Sequence, residues 1–153
     1  MANPDSVAQY YLDSFGNGRI GSAQSVSLAN VGNVTATIPI LVGGLTNTGN
    51  VTGSGSVIVR RITANNPTGN VSGAYVTITT SNDGNASNAV VANVALSNLT
   101  SSGKYQDLTI ASPYSTSSAI TGNQTQALFV NVTTASGNSN AVSFQVYGDV
   151  VTF

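Results

Sequence analysis

The chain has 153 residues, 41% hydrophobic and only 6% charged, and its four Lys or Arg against five Asp give a formal net charge of -1. That length suits one domain with one core, and the apolar fraction excludes a disordered polyelectrolyte. Four cations leave no electrostatic footprint for a phosphate backbone or an anionic bilayer, and no run of eighteen apolar residues could span one, so neither nucleic acid nor membrane is an expected partner.

Histidine and cysteine are absent, and all five acids are aspartates: Asp5, Asp13, Asp83, Asp107 and Asp149. Ser-His-Asp and Cys-His arrangements, imidazole bases and His or Cys metal sites are therefore excluded. An aspartate pair or a Ser-Lys dyad remains. The aspartates show no spacing that sets two on one face, and Lys104 follows Ser101 and Ser102 within a turn, where it lacks the burial a lysine base requires. Gly103-Lys104 is no phosphate loop, because Tyr105 follows where Ser or Thr is needed and position 98 is Asn. Asn82-Asp83-Gly84-Asn85 offers oxygens to calcium, but with one carboxylate it reads as a turn. The expectation is a non-enzymatic protein without cofactor or metal.

A surface of Ser, Thr, Asn and Gly carries little long-range repulsion, which favours association; a monomer kept soluble by hydroxyls and amides is the plainer alternative. The opening MANPDSVAQYY lacks the basic and apolar regions of a signal peptide, so synthesis in the cytosol is expected.

In chain order, residues 1–20 read as an N-terminal arm ahead of a single domain over 21–153. Asp5 or Ser6 caps a short helix that holds Tyr10, Tyr11, Leu12 and Phe15 and ends at Gly16-Asn17-Gly18. These aromatics either dock on a neighbouring subunit or close one end of the protein's own core. Val26 and Leu28 alternate in a strand, Asn30 to Asn33 turns, and Val34, Ala36, Ile38 and Ile40 alternate in a longer strand placed at a sheet edge by Pro39. Gly43 to Ser56 is a glycine-rich loop, a contact surface or a flexible connector.

Ser56 to Thr63 is a strand carrying Arg60 and Arg61. Neighbouring strand residues point to opposite faces, so one arginine turns inward or into an interface, with Asp107 or Asp149 as partner; if the strand is an edge, both reach water. Asn65 to Gly73 is turn chemistry. Val76–Val94 and Val130–Val146 form a near-repeat: a strand ending in Thr-Thr, a Ser/Asn/Gly loop, then Ser-Asn-Ala-Val opening a return strand. Each is expected to be an antiparallel hairpin, the second turning at Ala135 to Asn140. Between them lie Leu96, Leu99 and a strand from Lys104 to Ile110 packing through Tyr105, Leu108 and Ile110. Ser112 to Gln124 is a loop with Tyr114 as a further candidate contact. After Val142, Phe144 and Val146, Gly148-Asp149 permits a kink or bulge before a terminal strand.

These runs predict an all-β antiparallel sandwich of about eight strands, jelly-roll or immunoglobulin-like. The wording LFVNVTTASGNSNAVSFQVYGDV, with KYQDLTIA at Lys104 to Ala111, resembles small virion proteins of tailed bacteriophages, of the capsid decoration (cement) type. The resemblance covers roughly the final third and brings no residue-level motif. It implies a protein made in the host cytoplasm and carried on the capsid surface, where it binds the major capsid protein and stabilises the shell as a homo-oligomer, commonly a trimer. The candidate interface residues are Tyr10, Tyr11, Leu12, Phe15, Arg60, Arg61 and Tyr114, with strand pairing at exposed edges as one way to join protomers. A second expectation is a binding module of a fibre that recognises a glycan or host surface.

Overall fold

Alternation of Val, Ile and Leu with Thr, Ser and Asn becomes strand wherever the chain is described, which in this computed structural model is residues 18–40, 55–111, 120–121 and 127–152. The strands are β1 (Gly18–Ser27), β2 (Gly32–Pro39), β3 (Gly55–Asn65), β4 (Tyr75–Thr79), β5 (Ala89–Ala95), β6 (Tyr105–Leu108), β7 (Ile120–Thr121), β8 (Ala127–Thr134) and β9 (Ala141–Thr152). One 3-10 turn, Ala86–Asn88, is the only helical element among the described residues.

The pairing is nested. β1 pairs with β9, β2 with β8, β3 with β6 and β4 with β5, all antiparallel, as in one long ribbon doubled back between β4 and β5. The ribbon then curls, so that β9 also pairs with β3 and β8 with β4. Two sheets result, β1-β9-β3-β6 with β7 added beside β3, and β2-β8-β4-β5. This wrapped ribbon is the jelly-roll form of the β-sandwich.

Between the sheets, Ile62, Phe144 and Val146 from one face meet Ile38, Ile78, Leu128 and Val130 from the other, each no more than 1% exposed. Leu28, Val71, Leu96 and Leu99, which lie in connections, plug the ends. Pro39 lies in β2, an outer strand of the four-stranded sheet, as its missing N–H requires.

Both sides of the sandwich are tied across the gap between sheets. On one side Gly21 of β1 bridges Ile40 just beyond β2. The approach is so close that a Cβ at Gly21 would sit 2.6 Å from the Pro39 carbonyl oxygen and from Ile40 Cδ1. On the other side Ala111 N donates to Val90 O at 2.7 Å, and Gln106 Nε2 of β6 donates to Ala95 O at 2.7 Å. The strand edges expected to recruit a neighbour are engaged at these points.

Ile120–Thr121, read as part of the Ser112 to Gln124 loop, form β7 because they pair with Ser56 and Val57 of β3. Three further expectations change. The first is the domain boundary: Gly18–Ile20, assigned to the arm, open β1 and pair with β9. The second is the hairpin at Ala135 to Asn140, which is a crossover, because β8 and β9 lie in different sheets. Its loop is held by distant chain: Ser136 N donates to Leu28 O (2.9 Å), Asn138 Nδ2 to Asn70 O (2.8 Å), and Ala141 N to Thr68 Oγ1 (2.9 Å). The third is Tyr105, expected to pack inward. With Gln106 and Leu108 buried, alternation turns Tyr105 out, 62% exposed. The Val76–Val94 hairpin forms as expected, as β4 and β5. Ile110 packs partly buried against the core.

Candidate interface on the five-stranded sheet

β3 runs between β9 and β6, so it is no edge strand, yet Arg60 and Arg61 both face solvent. A bulge reconciles the two. Val59 pairs with Gly148 and Arg61 with Tyr147, which leaves Arg60 as an extra residue. Val59, Ile62 and Ala64 all point into the core, so two residues rather than one separate Val59 from Ile62 and both arginines turn outward. The expectation of opposite faces fails at this bulge, although Asp149 and Asp107 are the partners named for it. Gly148 permits the distortion, since any Cβ there would collide with the Ile58 carbonyl oxygen. The kink expected at Gly148-Asp149 is this bulge.

The arginines are held differently. Arg61 makes a two-pronged pair with Asp107, Nε to Oδ1 at 2.7 Å and Nη2 to Oδ2 at 3.0 Å, and Thr63 Oγ1 donates to the same Oδ1 at 3.1 Å. The side chain of Arg61 is only 18% exposed, which with the fork geometry fixes the guanidinium plane. Arg60 makes a single contact, Nε to Asp149 Oδ2 at 3.0 Å, and is 44% exposed.

Register extends the cluster. Arg19, Tyr147 and Arg61 form one row across β1, β9 and β3, and Ser22, Gln145, Thr63 and Asp107 form the next across all four strands. Residues directly opposite in a sheet share a face. Tyr147 OH donates to Gln145 Oε1 at 2.6 Å, linking the rows. Of the seven charged residues described, five lie on this outer face: Arg19, Arg60, Arg61, Asp107 and Asp149. Three are positive and two negative, so the face is mildly cationic on a chain whose net charge is -1.

Asp83 lies apart, in the loop between β4 and β5. Its Oδ1 accepts from the Ser81 hydroxyl and from Asn85 N, and these two bonds hold the carboxyl below its ordinary pKa. Asn85 Oδ1 in turn accepts from Ser87 N at 3.0 Å. The loop satisfies itself, as its turn reading requires. Among the described residues no cluster of acids could hold a metal ion, and no helix is long and apolar enough to cross a membrane.

Arg60 and Arg61 are thus brought together, whereas Tyr10, Tyr11, Leu12, Phe15, Tyr114 and residues 43–54 of the glycine-rich stretch lie outside the described residues. Sequence reasoning missed Tyr147 and Arg19 as members of the cluster. Tyr147 was legible, because alternation from Phe144 and Val146 turns Gln145, Tyr147 and Asp149 outward together. Arg19 was hidden by the arm assignment. No protein-family model matches the chain, and no curated protein or solved structure matches it significantly.

Proposed function

We propose that this protein is a non-enzymatic structural component of a tailed-phage virion, a decoration protein that binds the assembled shell as a homo-oligomer through the outer face of its five-stranded sheet. The observation that carries the reading is the charge distribution: a chain with very few charges gathers most of those described onto one hydrogen-bonded sheet face. The sides of the sandwich are tied across, so this face rather than sheet extension is the surface offered to a partner. Its interlaced Arg and Asp are pre-ordered for charge-assisted hydrogen bonds, which set orientation and register more than raw affinity. Jelly-roll domains are frequent in viral capsids, a support by analogy of fold alone. The resemblance of the final third to decoration proteins points the same way, and the lack of His, Cys and Glu leaves no ordinary catalytic set.

The test is light scattering of the purified protein followed by cosedimentation with empty capsids of the phage that encodes it. A discrete oligomer that pellets with capsids is expected. Reversing the paired charge with Arg61→Glu should weaken pelleting at least about tenfold. Because it breaks a two-pronged, largely covered pair and sets Glu beside Asp107, it should also cost the fold about 1–2 kcal/mol. An unchanged far-UV circular dichroism spectrum shows that the variant is still folded. A monomer indifferent to capsids overturns the reading. Unchanged binding by Arg61→Glu overturns the choice of face.

A further inference from the structure

The polar loops of this protein differ in what their side chains do. In the 81–88 loop Asp83, Asn85 and Asn88 all bond within the loop. At the crossover, Asn138 and Asn140 reach Asn70 O. The loop from Ser97 to Tyr105 is built by other means. Leu96 and Leu99 anchor it with no exposed surface, Val71 N donates to Leu99 O (2.9 Å), and Asn98 N donates to Oε1 of the buried Gln106 (3.0 Å). Gln106 Nε2 is itself fixed on Ala95 O, so one buried amide clamps both ends of the β5–β6 connection.

With the backbone held this way, the side chains of Ser97, Asn98, Thr100, Lys104 and Tyr105 are exposed and make no hydrogen bond or ion pair with another described residue. Together with Gly103, in the left-handed region at φ +81°, they line an open hollow of about 500 Å³. It is a shallow, open depression rather than an enclosed cleft, so it suits a single sugar residue held weakly at the surface. A Cβ at Gly103 would meet nothing within 4 Å, so this wall of the hollow is open.

The lining has a definite chemistry. Tyr105 offers an aromatic face suited to the C–H side of a pyranose ring. The Asn98 amide both donates and accepts, and the Ser97 and Thr100 hydroxyls do the same, which suits adjacent sugar hydroxyls. Lys104 is the single charge of the hollow, a compact ammonium with no lining carboxylate beside it. An anchored loop also loses little conformational freedom when a ligand arrives.

We propose that this hollow binds a carboxylated pyranose, a uronic- or sialic-type sugar residue, with Tyr105 beneath the ring, Asn98, Ser97 and Thr100 on its hydroxyls and Lys104 on its carboxylate. Tyr105 lies on the same outer side of β6 as Asp107, two residues along, so the hollow borders the charged sheet face; none of the five charged residues of that face lines it, and the proposal does not depend on the assembly reading.

Saturation-transfer NMR on the full chain tests it, with D-glucuronic acid, N-acetylneuraminic acid and neutral D-glucose each at about 10 mM, a concentration suited to millimolar affinity. One or both acidic sugars should receive saturation, and which one responds separates the two sources of the carboxylate. Glucose should respond about two- to fivefold more weakly, as expected for loss of one exposed charge contact. Lys104→Gln should erase that preference, Tyr105→Ala should abolish all signal, and Tyr105→Phe should retain it, the last showing that loss in Tyr105→Ala reflects the missing ring. No transfer to either acid, an equal response to glucose, or a signal indifferent to both Lys104→Gln and Tyr105→Ala overturns the proposal.

Discussion

Val76–Val94 and Val130–Val146 are written in nearly the same words and end in different places. Their first strands, β4 and β8, lie side by side in one sheet with Thr77 opposite Asn131, the residues that match in the repeat. Their return strands part: β5 stays beside β4, whereas β9 leaves for the other sheet and is paired there on both sides, by β1 and β3. The loops differ accordingly, one bonded within itself and the other bonded to Leu28, Thr68 and Asn70. Similar wording sets where a strand starts and stops, and the choice of neighbour belongs to the partners each strand finds.

The difference can be broken most forcefully at β9. Phe144, wholly buried between the sheets, should cost about 4 kcal/mol as Phe144→Ala in urea or thermal unfolding, because a central strand cannot collapse around the cavity. Next is Gly148→Ala, which places a Cβ against the Ile58 carbonyl. A loss of about 3 kcal/mol is expected, together with separation of the Arg60–Asp149 pair, visible as altered side-chain NMR shifts. A loss below about 0.5 kcal/mol would mean that the bulge is not as tight as described.

The loops sharpen the comparison at smaller scale. Asn138→Ala removes a bond between distant segments and should cost about 1 kcal/mol, whereas Asn85→Ala removes local bonds that the unfolded chain can partly keep, and should cost less than half of that. Equal losses would erase the distinction between crossover and hairpin.

Asn131, the counterpart of Thr77, is 3% exposed; its Nδ2 donates to Thr79 Oγ1 while its Oδ1 accepts nothing. Asn131→Val should therefore be neutral or stabilising by about 0.5 kcal/mol, since the Thr79 hydroxyl keeps its bond to Ser81 O.

The smallest expected effect is a pH dependence. The lowered pKa of Asp83 contributes stability that is present above its unfolded pKa and lost as pH falls through its folded value. Comparing acid unfolding of wild type and Asp83→Asn should show a slightly shallower dependence in the variant across the carboxylate range. An identical profile would sever the link between the loop's bonds and its titration.

The candidate interface was half legible. Arg60, Arg61 and their aspartate partners stand out in so uncharged a chain, and the outward set of β9 follows from alternation. Their common face did not follow, because a bulge shifts alternation by one and is invisible without its partner strand. The hollow at Tyr105 was missed for a related reason: Tyr105 reads as a packing residue until Gln106 is seen to occupy the inward position as a clamp.

By itself the amino-acid sequence determined most of the strands and their limits, β7 and the start of β1 apart, most of the apolar set that faces inward, and the edge position of the strand holding Pro39, because period two and turn chemistry are local properties of the chain. Only the tertiary structure decided which strands pair, that β8 and β9 separate into two sheets, and that five scattered charges share one surface. Those outcomes rest on hydrogen bonds and contacts between residues far apart in the chain, such as Gly18 with Gly148 and Arg61 with Asp107, and no local pattern encodes them.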